Sequence, residues 1–97
     1  MRLVAIELDG EDPESEAAMA IAVARRLRPP MKVFAAEVRR EMGWKSLSMR
    51  AVYGWERGEA RVPAAALLAA ARVTGQSVDD LLHRGRILRR MGLRPGE

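Results

Sequence analysis

Proline and glycine cut this chain into lengths too short for anything but brief helices or strands. Pro29-Pro30 is the sharpest cut, because two successive residues lack an amide donor and Arg28 before them is pushed out of helical geometry. Further breaks stand at Asp9-Gly10, Gly43, Gly58 and Gly75, with Gly92 and Pro95-Gly96 near the end. Between the cuts, apolar residues recur mostly at helical rather than alternating spacing.

Helix 1 is predicted to begin near Pro13. The Asp12 side chain can accept from free amides there, proline is tolerated in a first turn, and acids suit the positive end of the helix dipole. Its inward face is expected to carry Ala20, Val23, Ala24 and Leu27. Helix 2 follows from about Met31 with Met31, Phe34, Ala35, Val38 and Met42 inward, and Gly43 ends it. After a loop over 43–47, Ser48 is a good amide-accepting start for helix 3, which runs to about Arg57 and stops at Gly58. Helix 4 has Pro63 in its first turn, is expected to turn Ala64, Leu67, Leu68 and Ala71 inward, and closes on Thr74-Gly75. Helix 5 opens with Ser77-Val78-Asp79-Asp80, a capping-box spacing with Asp for Glu, and buries Val78, Leu81 and Leu82. Gly85 is a candidate interruption, and Arg86 to Met91 either continue the helix or form a separate basic turn.

Leu3 to Leu8 differs from the rest. It places Val4, Ile6 and Leu8 on one side of a short extended segment, yet no second strand-like segment follows. It either pairs with its own copy in a second chain or lies as an arm over the helices.

These elements predict an all-α fold, a compact bundle of four to five short helices with a short N-terminal strand or arm. The domain boundaries expected are 1–12 for the arm, 13–85 for the helical domain and 86–97 for a basic tail. A chain of 97 residues supports one modest core and little room for an enclosed catalytic cavity.

The formal net charge of +4 makes polyanions natural partners, and its distribution says more than its size. Residues 1–16 carry one Arg against six acids, 17–82 carry eleven basic against six acidic residues, and 83–97 carry five Arg against one Glu. The acidic front faces solvent or a partner, or serves the start of helix 1 locally. No cysteine is present, which excludes disulfides and cysteine-based zinc sites, and His83 stands alone. No metal or cofactor is expected. Nothing in the sequence pairs a nucleophile with a base or makes a glycine-rich phosphate loop, so no enzymatic activity is expected. Neither a signal peptide nor a membrane-spanning apolar run is visible, so a cytoplasmic, nucleoid-associated location is expected.

A tight glycine-marked joint before a short third helix is the layout of a helix-turn-helix domain. Residues Ser48-Met49-Arg50-Ala51-Val52-Tyr53-Gly54-Trp55-Glu56-Arg57-Gly58 resemble the recognition helix and following turn of the Cro and phage-repressor (XRE-like) family, with Val-x-x-Trp-Glu-x-Gly as the core of the likeness. The resemblance runs on through Val62-Pro63, the alanine-rich helix, Thr74-Gly75 and Ser77 to Leu82, covering roughly residues 17–84. Two departures stand out. The loop before Ser48 is longer than that family's compact turn, and helix 2 begins Met31-Lys32-Val33 where the family often has a phosphate-binding Gln.

The resemblance implies a sequence-specific transcriptional regulator that binds double-stranded DNA, as a homodimer on a palindromic site, through helix 3. The physical dimensions agree, since a nine-residue helix is roughly 13 Å long and suits a major groove about 12 Å wide. With Val52 and Trp55 inward beside Ala51, the residues left for base contact are Met49, Arg50, Tyr53 and Gly54. Arg50 is the principal reader, and Tyr53 touches the sugar-phosphate wall or a thymine methyl, or rests half-buried beside helix 2. Gly54 is unusual inside a helix and suggests close approach to DNA or to another helix. Phosphate contacts are expected from Lys32, Lys45, Ser48, Arg57 and Arg61. Trp44 beside Lys45 either lies against the DNA backbone or completes the core. Trp55 and Glu56 are given structural roles, the indole packing and the carboxylate bracing the turn. The tail arginines 84, 86, 89, 90 and 94 grip a backbone or are simply solvated. The competing reading is a protein-binding adaptor or antitoxin-like module that kept the fold and lost base reading, with a second protein as its partner.

Overall fold

The computed structural model describes residues 13–92, and among them the chain is all helix and connection with no strand. The expectations for Leu3 to Leu8, for the Asp12 cap and for Arg94 lie outside the described residues. Five helices follow in order: α1 (Pro13–Leu27), α2 (Met31–Met42), α3 (Met49–Arg57), α4 (Ala64–Thr74) and α5 (Val78–Arg90). No described helix is long and apolar enough to cross a membrane.

The predicted stops act as expected. Gly43, Gly58 and Gly75 each take a left-handed φ of 72–79° just past a helix, and their amides close the last turn. Ser48 and Ser77 each accept an amide three residues on, at 3.0 Å, a cap that stabilises a helix by about 1 kcal/mol.

Helix α1 is the hub, packed against α3, α4 and α5. Seven successive residues, Ala18–Ala24, are buried. A one-sided amphipathic helix cannot bury a continuous run, so α1 is enclosed on several sides in its middle. Alanines at 18, 20, 22 and 24 let neighbouring backbones come close, and Ile21, Phe34, Val38, Val52 and Leu81 are fully buried side chains of the same core cluster.

Three sequence expectations need correction. Leu27 is 41% exposed, because α1 has by then passed the end of the packed core. In α4 the buried residues are Ala66, Ala69, Ala70 and Ala71, while Leu68 is 54% exposed, Ala64 exposed and Leu67 half-buried. The segment AAALLAAA has no polar residue to mark its outer face, so apolar spacing cannot fix its rotation; the small side chains face in because α1 and α2 lie close. Helix α5 runs unbroken through Gly85, which is buried where α5 crosses α1: a Cβ there would stand 3.0 Å from the Met19 Cβ. The stretch after Gly85 is therefore helix, and Arg86 forks onto Glu16 at 2.8 and 3.2 Å while Arg89 donates to Ser15.

Candidate nucleic-acid interface

Successive residues of an α-helix are turned by about 100°, which gives α3 two unlike sides. Met49, Arg50 and Arg57 are exposed and Tyr53 is half-buried, all within one outer sector. Val52, Trp55 and Glu56 face the interior at 0%, 5% and 0% exposure. The outer stripe thus holds two guanidinium groups, a phenol and a thioether, with no carboxylate among them.

Gly54 departs from the outward position expected of it. It is buried, on the flank covered by Glu59, whose Oε1 lies 3.8 Å from where a Cβ would stand. Its carbonyl accepts the Glu59 amide at 2.9 Å and the Ala60 amide at 3.3 Å, tying off the end of α3. Helical rotation instead brings Arg57 onto the outer stripe, one turn beyond Tyr53, with its guanidinium 5.5 Å from the ring centre. Arg57 was expected only as a flanking phosphate contact.

The inner side is fixed by an ion pair. Glu56 is fully buried and receives Arg25 of α1 in a two-pronged contact, Nε to Oε2 at 2.6 Å and Nη2 to Oε1 at 3.0 Å. The hydrogen bond to Glu56 holds the Arg25 guanidinium above its ordinary pKa, opposing the effect of burial. Arg25 also lies 5.7 Å from the Tyr53 ring centre. Tyr53 is therefore held between two cations, half-buried rather than free. Glu56 does brace the helix, but its partner is 31 residues away on α1, and no local spacing pointed to Arg25.

The loop before α3 carries the remaining aromatic contact. Trp44 meets Trp55 edge-on, with ring centres 6.5 Å apart and planes at 68°. Arg39 fixes Trp44 from both ends of its peptide unit, its carbonyl accepting the Trp44 amide at 3.1 Å and its Nη1 donating to the Trp44 carbonyl at 3.0 Å. Trp44 thus covers the edge of the buried Trp55 while itself staying 41% exposed.

The other expected phosphate contacts fall into two groups. Lys45 and Ser48 are exposed at the entry to α3, and Lys32 is exposed in the first turn of α2. The Ser48 oxygen is already engaged as the helix cap. Beyond Gly58, Arg61 is exposed and joined to Glu14 at 2.8 Å; with both groups mostly in water, this pair holds the side chain only weakly. The first turn of α3 contains no acid, so its free amides and the dipole favour an anion. No group of three or more His, Asp or Glu side chains that could hold a metal ion occurs among the described residues. The chain matches no family model, no curated protein and no solved structure.

Proposed function

We propose that this protein is a sequence-specific DNA-binding transcriptional regulator of the Cro and phage-repressor helix-turn-helix type, acting as a homodimer on the cytoplasmic nucleoid. The observation that carries the reading is α3 itself, a capped nine-residue helix whose inner side is locked by Val52, Trp55 and the Arg25–Glu56 pair. Its outer stripe of Met49, Arg50, Tyr53 and Arg57 is left to solvent or partly so. A rigid helix with two cations outward and no exposed acid on that stripe has the shape and charge for a major groove.

In this reading Arg50 grips a guanine edge through both guanidinium nitrogens, a contact worth about 1 to 3 kcal/mol of discrimination. Met49 meets a thymine methyl or another apolar base edge. Arg57, held over Tyr53, contacts a phosphate or a base at the far end of the helix. Lys45, Ser48, Arg61 and Lys32 contribute phosphate contacts that set register without reading sequence. Gly54 has no part in base reading.

The test compares two variants by fluorescence anisotropy on short duplexes. Arg50→Ala is expected to flatten preference at one base position, costing about 1 to 3 kcal/mol on the preferred duplex alone. Lys45→Ala is expected to weaken all duplexes alike and to lower the salt slope by about one. Equal, sequence-blind losses from both would reject the division of roles. No binding to any duplex would favour a protein-binding adaptor.

A further inference from the structure

Tyr53 stands in the middle of a chain of contacts that runs from the core to the surface. Glu56, fully buried, grips Arg25 through both carboxylate oxygens at 2.6 and 3.0 Å. The Arg25 guanidinium lies 5.7 Å from the centre of the Tyr53 ring, and that of Arg57 lies 5.5 Å from it. Both distances fall within cation–π range. Two bare cations on one ring repel each other, but Glu56 offsets the inner charge. The Arg57 charge has no such offset: it makes no ion pair among the described residues.

This arrangement restrains Arg57 without using up the groups it binds with. An acid partner would occupy its N–H donors, whereas attraction to a ring face acts on the charge and leaves the five donors for an incoming acceptor. Tyr53 is half-buried and Arg57 exposed, four residues apart on the same side of α3. The ring is therefore the fixed member of the pair, and the long side chain of Arg57 has its freedom narrowed before any ligand arrives. Arg57 also stands seven residues beyond Arg50, about 10 Å along the helix axis. In a groove entered by the first turn of α3, its place is at the wall, where the phosphates run.

We propose that Tyr53 is a positioning residue, a platform that holds Arg57 ready as a phosphate clamp at the far end of α3, and that the ring rather than the hydroxyl does this. The role rests on the DNA-binding reading and narrows it, since Arg57 then contributes grip and register but no base choice, and Tyr53 touches no base. The buried Arg25–Glu56 pair backs the ring from the inner side, so the core ion pair and the surface clamp form one unit.

The test is a mutant cycle in the full chain, read by fluorescence anisotropy on short duplexes. Arg57→Ala should weaken all duplexes alike and lower the salt slope by about one. Tyr53→Leu should weaken them about two- to fivefold, the size of an exposed cation–π contact, while Tyr53→Phe should bind like the parent. Made in the Arg57→Ala background, Tyr53→Leu should cost nothing further, a result that a merely structural ring would not give. In the DNA-free protein, NMR should show the Arg57 side-chain protons displaced by the ring current of Tyr53, a displacement kept in Tyr53→Phe and lost in Tyr53→Leu. Equal losses from Tyr53→Leu in both backgrounds, a Tyr53→Phe variant as weak as Tyr53→Leu, or no ring-current displacement in a parent that binds duplexes would overturn the positioning role alone. No duplex binding by the parent would overturn the clamp together with the reading it rests on.

Discussion

At the scale of single residues, the most consequential side chain is Glu56. A carboxylate with no solvent exposure is tolerated only because Arg25 meets both its oxygens. Removing one partner strands the other, so Arg25→Ala should destabilise the fold by about 3 to 5 kcal/mol, as read from urea unfolding. Replacing both, as Arg25→Leu with Glu56→Leu, should recover most of that loss. If the double variant is no more stable than the single one, the pair does more than neutralise a buried charge. The half-buried fork between Arg28 and Glu37, at 2.8 and 2.9 Å, behaves differently. Its hydrogen bonds hold the Glu37 carboxyl below the ordinary glutamate value of 4.5. A depressed carboxyl contributes stability above the unfolded pKa and loses it as pH falls through the folded one. Glu37→Gln should therefore be less stable than the parent at neutral pH, with the gap closing below pH 4.5, as read from unfolding curves across that range. The structural role of Glu56 was legible from the motif around it. Arg25 was not, since a contact across 31 residues leaves no trace in local spacing.

At the scale of elements, two helical glycines look alike in sequence and differ in space. At Gly54 an added Cβ would find only an ordinary contact at 3.8 Å, from Glu59. Gly54→Ala should thus raise thermal stability by up to about 1 kcal/mol through helix propensity, and leave DNA affinity unchanged. At Gly85 the added atom would press on Met19 at 3.0 Å, with the Met19 backbone next at 3.4 Å. Gly85→Leu should cost about 1 to 3 kcal/mol, since α5 must move off α1 to admit it. A neutral result in thermal denaturation would mean that the two helices part easily. Helix limits were largely legible because Pro29-Pro30, Gly43, Gly58, Gly75, Ser48 and Ser77 mark them chemically. The rotation of α4 was not, because every residue from Ala64 to Ala71 is apolar and only the approach of α1 and α2 decides which side is inside. The division of α3 was legible for Val52 and Trp55. It failed for Gly54, whose missing side chain gives no sign of facing in or out.

At the scale of the whole molecule, α1 connects the parts: it packs on α3, α4 and α5, holds α3 through Arg25 and α5 through Glu16. On the proposed DNA-binding reading, a single copy would offer few phosphate contacts, so useful affinity would call for two copies with their α3 helices about 34 Å apart, one turn of DNA. The central claim is that the outer stripe of α3 reads base sequence. Its most direct test is selection of bound duplexes from a random pool, run in parallel on the parent chain and on Arg50→Ala. The parent should enrich a palindrome with half-sites about one turn apart, and Arg50→Ala should lose preference at one symmetric position while keeping the rest. Failure of the parent chain to enrich any sequence, or an identical motif from both proteins, would contradict it.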